Sequence, residues 1–237
     1  MTTRSFRPIE DSQRTLAALV QERIREAILK QTLRPGERID QNKLAEQLQV
    51  SMAPLREALK DLEAEGLVTI YPRRGAFVTE MSVDDLDKLY FARALIEGET
   101  IFHAVPRLTE DNLKRLGEYI AAMRQATLDE DVSTYITLNR QFHLDIYNAL
   151  GNPHLLQVIQ NLWKRSELYR YHLMAATHDT ERVHREHEAI LDACRQRDQV
   201  AAREVAILHI RHTQEELHVY LKAEIEKETT PFDLTKG

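Results

Sequence analysis

Ser51-Met-Ala-Pro-Leu-Arg-Glu-Ala-Leu59 and then Gly66-Leu-Val-Thr-Ile-Tyr71, joined through the basic turn Pro72-Arg73-Arg74-Gly75 to Ala76-Phe-Val-Thr79, decide the fold of this chain. In the first segment the apolar positions Leu55, Ala58, Leu59 and Leu62 return every three or four residues, which is one face of a helix. Ser51 is a suitable N-cap for a helix running to about residue 64, and Gly66 can take the left-handed conformation that ends one. Beyond Gly66 the apolar period drops from 3.6 to 2, so residues 67–71 and 76–79 read as two short strands of a β-hairpin with a basic tip.

Upstream, Asp40 caps a short helix over 41–48, with Leu44 and Leu48 inward. A longer helix spans 12–31, with Leu16, Leu19, Val20, Ile24, Ala27 and Ile28 as its stripe, and ends before Pro35-Gly36. Three helices with a tight turn before the third, then a hairpin, make a winged helix-turn-helix. Its third helix fits a DNA major groove if its first turn is small and polar enough for close approach; here that turn is Ser51-Met52-Ala53-Pro54. Arg56, one turn on, can reach a guanine edge or a phosphate, while Arg73 and Arg74 on the tip, beside Gly75, can follow the backbone or enter the minor groove. The same residues also suit an ordinary helical subdomain with a solvated Arg-Arg turn.

Downstream no further strand is evident. Ser82-Val-Asp-Asp85 opens a helix to about 104, followed by helical stretches near 109–127, 130–150, 153–174, 180–196 and 198–226, with breaks at Pro106, Asp129, Gly151-Asn-Pro153, Thr177 to Thr180 and Asp198. The expected fold is therefore mainly α: an N-terminal winged helix-turn-helix with a small β-hairpin wing, and a C-terminal all-α antiparallel helical bundle. The domain limits are 1–80 and 81–227, with a flexible tail at 228–237.

Charge supports the same division. The whole chain of 237 residues carries −6. Residues 1–80 hold 13 Lys/Arg against 12 Asp/Glu, a net of +1, and residues 81–237 hold 19 against 26, a net of −7. Only the first segment is suited to phosphates, and there only through local clustering of its cations. No apolar run is long enough for a membrane span, and a single cysteine, Cys194, excludes an intrachain disulfide, so a cytoplasmic protein with no membrane partner is expected.

In the C-terminal part polar residues interrupt apolar stripes. On the helix at 130–150 the inward positions are Ile136, Asn139, His143, Ile146 and Leu150, so Asn139 and His143 face the core one turn apart. On the helix at 180–196 His187 faces inward and His184 lies towards the edge; on the last helix phasing leaves His209 and His212 as alternatives. Three histidines from separate helices with one oxygen can hold zinc or nickel. Core histidines satisfied by backbone or water are the plainer alternative. Arg93 follows Leu86, Leu89 and Tyr90 into the interior, with Glu97 four residues on as a local partner.

The register of Leu33-Arg-Pro-Gly36, Leu44-Ala45, Val50-Ser51, Pro54-Leu-Arg-Glu-Ala-Leu59, Glu65-Gly-Leu67 and Gly75-Ala-Phe-Val78 closely resembles the DNA-binding domain of the GntR family of regulators. The resemblance implies DNA contacts by Ser51, Arg56 and Arg73 to Gly75. The chain departs from the family pattern at Gln31, where a glycine is common, and at Met52, where a basic residue is common; a thioether can touch a thymine methyl but cannot read guanine. Arg93-Ala-Leu-Ile-Glu97, Asn139-Arg-Gln-Phe-His143, Glu186-His187-Glu-Ala-Ile190 and Asp198 with His209 eleven residues later resemble the FCD effector domain, in its shorter VanR-like form by helix count. That resemblance implies a metal held by His143, His187 and His209 with Asn139 in the place of an Asp, selects His209 over His212, and implies a small carboxylate effector that ligates the metal and meets an arginine. Helix phasing makes Arg93 the expected effector contact.

The expected function is a homodimeric DNA-binding repressor released from double-stranded operator DNA by a small carboxylate. The competing class is a metal-dependent helical enzyme acting on a small acid. Against it, the sequence has no His-Glu-x-x-His pattern, and phasing places no carboxylate as a general base beside the three histidines.

Overall fold

The computed structural model describes residues 15–176 and 180–229. Helix α1 (Leu16–Leu29) starts at Thr15, whose hydroxyl accepts from the Ala18 amide, and buries Ala17, Val20, Ile24 and Ile28. Leu16 and Leu19, expected in its stripe, are instead exposed, because the buried face is centred on Ala17 and Val20. The expected start of this helix at 12–14 lies outside the described residues.

Asp40 caps α2 (Gln41–Gln47) through bonds from the Asn42 and Lys43 amides. Helix α3 (Met52–Ala64) buries Leu55, Ala58, Leu59 and Leu62 completely. Each large aliphatic side chain among them contributes about 1.5–3 kcal/mol. Gly66, at φ +79°, ends α3 as expected, and the turn between α2 and α3 passes through Gln49 at φ +54°.

Strands β2 (Val68–Tyr71) and β3 (Gly75–Val78) form the antiparallel hairpin, with Tyr71 opposite Gly75. A third strand, β1 (Arg38–Ile39), pairs antiparallel with the other edge of β3, giving the order β1-β3-β2. Two residues are too few to show a period, so β1 was not legible in the sequence. Buried Glu65 ties α3 to α1 by accepting from Gln21 and pairing with Arg25.

The chain divides into two compact units, the first ending at Thr79 and the second beginning at Glu80. Among the described residues the second unit is entirely helical: α4 (Val83–Ala104), a 3-10 turn (Val105–Arg107), α5 (Glu110–Leu128), α6 (Val132–Asn148), α7 (Pro153–Ala176), α8 (Thr180–Arg195) and α9 (Gln199–Thr229). Side chains cap several of these helices, Ser82 as expected. Ser82 accepts from the Asp85 amide, Thr109 and Asn112 form a reciprocal capping box, and Asp131 accepts from the Thr134 amide.

Helix α4 packs against α9 and α7, while α5 packs against α6 and α8. Gly98 permits the close approach of α4 and α9, since a Cβ there would lie 2.8 Å from Ile207. The main core gathers Ile101, Leu116, Phe142, Ile146, Trp163 and Ile190, and a second cluster joins Leu86, Tyr90, Tyr169, Ile210 and Leu217. Helix α9 continues through Thr229, past the expected start of the tail at 228. The rest of that expected tail, 230–237, and the break at 177–179 lie outside the described residues. Among the described residues no helix is long and apolar enough to cross a membrane.

Candidate functional site

Two constellations stand apart in chemistry, one exposed in the first unit and one buried in the second. In the first, Ser51 precedes α3 in extended conformation, and its exposed side chain makes no capping bond. Met52, Arg56 and Gly75 line one concavity together with Arg38 and Asn42. Ala53 and Arg56 are exposed on α3, as are Arg73 and Arg74 on the turn between β2 and β3.

Backbone conformation shapes that turn: Arg73 is at φ +63° and Gly75 at φ +104°. The Arg74 guanidinium lies 5.5 Å from the Tyr71 ring centroid. Arg38 was not among the expected DNA contacts. Strand β1 carries it to the edge of β3, where its Nε would lie 3.6 Å from a Cβ on Gly75. The alternating pair Arg38-Ile39 after the Pro35-Gly36 turn was the only signal for it, with Ile39 buried and Arg38 exposed.

In the second unit α6, α8 and α9 each contribute one buried histidine, His143, His187 and His209, with one ring nitrogen from each within 4.8 Å of the others. His143 Nε2 and His187 Nε2 are 3.3 Å apart. The His143 and His209 rings stack at 5.2 Å, and His187 and His209 lie 4.9 Å apart. Burial, followed by the neighbouring histidines, holds His143 and His187 well below the ordinary imidazole value, so both are neutral and offer lone pairs.

Glu186 accepts from His209 Nδ1 at 2.7 Å and from His212 Nδ1 at 2.6 Å, and Arg182 holds it in turn at 2.7 Å. The bond to Glu186 places the His209 proton on Nδ1 and leaves Nε2 for a ligand. The carboxylate that helix phasing did not place beside the histidines is thus Glu186, engaged on the outer nitrogen of His209. His212 is one-third exposed and, among the described residues, reaches only Glu186.

His184 corrects the sequence reading. It was expected towards the helix edge, but it is buried, with Nε2 3.2 Å from Thr127 Oγ1 and its ring edge-on to Tyr135. The cause is that α5 and α6 close over that side of α8. Tyr135 likewise occupies the buried position on α6 where Ile136 was expected, and Ile136 is half-buried. Asn139 is half-buried one turn before His143.

The donor set fits a divalent ion. Two nitrogens about 2.0–2.1 Å from one tetrahedral ion lie roughly 3.3–3.4 Å apart, the separation of the His143 and His187 nitrogens. Three imidazole donors suit zinc or nickel.

Arg93 is buried, and its Nε donates to Glu97 Oε1 at 2.7 Å. Tyr147 donates to the other Glu97 oxygen at 2.8 Å, and Arg93 Nη1 reaches Ser166 at 3.5 Å. Burial works against the Arg93 charge, but Glu97 outweighs it. Trp163, which carries no motif in the sequence, lies between two cations and an imidazole: the Arg93 and Arg170 guanidiniums lie 4.9 and 4.4 Å from its ring, and the neutral His143 ring 5.4 Å.

Comparison with known proteins agrees with this division. Residues 16–78 match the family model "Bacterial regulatory proteins, gntR family", and residues 88–212 match the FCD domain. The chain is 32% identical over 173 residues to the HTH-type transcriptional regulator McbR of Escherichia coli K12, covering 72% of this chain and 78% of McbR. It is 28% identical over 198 residues to the HTH-type transcriptional regulator YdhC of Bacillus subtilis 168, covering 82% of this chain and 87% of YdhC. The solved structure of E. coli McbR/YncC superposes with a TM-score of 0.74 at 26% identity, over 88% of this chain and 100% of that one. The chain therefore belongs to the GntR family with an FCD domain, and is a DNA-binding transcriptional regulator rather than an enzyme.

Proposed function

We propose that this regulator is a cytoplasmic homodimeric repressor whose hold on operator DNA is released by a small carboxylate bound beside a metal in the helical domain. The observation that carries this reading is the convergence of three buried histidines, two of them held neutral, from three separate helices. Such a site is costly to bury unless it has a ligand. His143, His187 and His209 would hold the ion, with Asn139 as the oxygen donor one turn from His143. Because an amide brings no charge, the ion keeps its full positive charge towards an anion. A bound zinc or nickel would supply a Lewis-acidic position for one carboxylate oxygen. Arg93, with Nε committed to Glu97, keeps donors for the effector on its outer nitrogens.

On DNA, two copies of α3 would read two half-sites. Ser51, Met52, Ala53 and Arg56 meet base edges and phosphates, and Arg73, Arg74 and Gly75 meet the backbone. Arg38, sharing the concavity with Arg56 and Gly75, joins them as a phosphate contact. Effector binding lowers operator affinity only as far as it prefers the release-competent conformation.

The test is operator affinity, by fluorescence anisotropy on a duplex selected from a random pool, across titrations of acetate, lactate, succinate and citrate. Metal-replete protein should release DNA with at least one acid, and chelated protein with none. Equal release from both would remove the metal from the mechanism. Acid-strengthened binding would replace repression by activation.

A further inference from the structure

Three buried polar atoms without hydrogen-bond partners gather at one place in the second unit. Tyr90 Oη, Trp163 Nε1 and Arg170 Nε are all buried, and none has a partner among the described residues. They form one neighbourhood, because the Arg93 guanidinium lies 4.7 Å from the Tyr90 ring and 4.9 Å from Trp163, while Arg170 lies 4.4 Å from Trp163 on its own account. An indole N–H and a guanidinium can only donate. Burial raises the Tyr90 pKa, so its proton stays in place.

Each of these three atoms can therefore donate. The local acceptor, Glu97, is already engaged by Arg93 and Tyr147. Charge follows the same pattern: Glu97 pairs with Arg93, whereas among the described residues no carboxylate forms an ion pair with Arg170, and Glu167 and Glu97 only partly offset its charge. Burial and the neighbouring Arg93 pull Arg170 down to about 10, which leaves it cationic at neutral pH but held at a cost.

We propose that Arg170, with Trp163 and Tyr90, forms an anion subsite separate from the histidine nitrogens, and that the effector is a small acid carrying two anionic groups. The site rests on the effector reading above. Trp163 joins its two ends, because the His143 ring lies 5.4 Å from the indole that Arg170 covers. One anionic group meets the Arg170, Trp163 and Tyr90 donors, and the second is directed towards His143, His187 and His209. A water molecule could satisfy one donor, but it would leave the Arg170 charge uncancelled. A planar carboxylate satisfies two donors and cancels that charge.

The test compares dicarboxylates of three to six carbons with the monocarboxylate of equal length, succinate against butyrate for example. Calorimetry and thermal shift are read on the metal-replete full chain and on Arg170→Gln. At least one dicarboxylate should bind the wild type about tenfold or more tighter than its partner, as expected for one added charge-assisted contact. Arg170→Gln should erase that preference while metal content and monocarboxylate affinity hold. Should Arg170→Gln fail to fold, Trp163→Phe keeps the packing, removes one donor and should reduce the preference severalfold.

Absence of any dicarboxylate preference in the wild type, or its survival in Arg170→Gln, overturns the proposal. Failure of the histidine reading looks different. In that case His143→Ala binds dicarboxylates as the wild type does, while Arg170→Gln does not, and the Arg170 subsite stands by itself.

Discussion

Arg56 on the recognition helix and Arg170 in the helical bundle both lack a carboxylate partner among the described residues, yet the two cations stand in opposite circumstances. Arg56 is exposed and hydrated, so being unpaired costs nothing, and its place in the fold depends on Leu55, Ala58 and Leu59 behind it. Arg170 stacks on Trp163 with a buried, unpartnered Nε, and its neighbours His143, Arg93 and Glu97 all belong to the core. In the first unit, then, the functional surface can be altered without touching stability. In the second, the groups argued to bind ligands also pack the interior, so function and folding are coupled there.

The largest expected effect falls on the buried side of this comparison. His143→Ala, His187→Ala and His209→Ala should each reduce metal content, measured by elemental analysis, from near one ion per chain to background. His212→Ala should retain it, because His212 bonds the oxygen of Glu186 that His209 does not use. Retention by the His209 variant with loss from the His212 variant would reverse the assignment on α9.

On the exposed side, Arg56→Ala should weaken operator binding by about 1–3 kcal/mol, as for loss of a bidentate base contact. Its melting temperature should match the wild type. A coupled loss of stability would break the contrast between the units.

Arg38→Ala, Arg73→Ala and Arg74→Ala should each weaken binding to all duplexes alike and lower the salt slope of log affinity by about one. An unchanged slope for Arg38→Ala would return that residue to a purely structural place beside Gly75.

The smallest expected effect concerns backbone. Gln49, at φ +54° in the turn before α3, holds a left-handed conformation that costs a residue with a side chain about 1–2 kcal/mol. Gln49→Gly should therefore stabilise the first unit slightly in denaturant melts, with operator affinity unchanged.

The parts of this molecule legible in its sequence are those governed by period and caps. The stripe Leu55, Ala58, Leu59, Leu62 and the caps Asp40 and Ser82 set their elements nearly to the residue, because each answers to one local rule. His143 and His187 were also readable as inward, since they interrupt an apolar stripe. What local rules do not carry was not legible. Strand β1 exists only through pairing with β3, the burial of His184 depends on helices from elsewhere in the chain, and the pairing of Glu186 with His209 spans 23 residues between two helices. Trp163 stands in no motif of the sequence, and its surroundings, Arg93, Arg170 and His143, are brought together only by the fold.

The most direct test of the account measures operator affinity of His143→Ala across a titration of the acid that releases the wild type. Wild-type affinity is expected without acid, because the proposed DNA contacts lie in the first unit, and no release is expected as acid is added. Release at wild-type acid concentrations would contradict it, and would show that the histidine cluster is packing rather than the site where the effector acts.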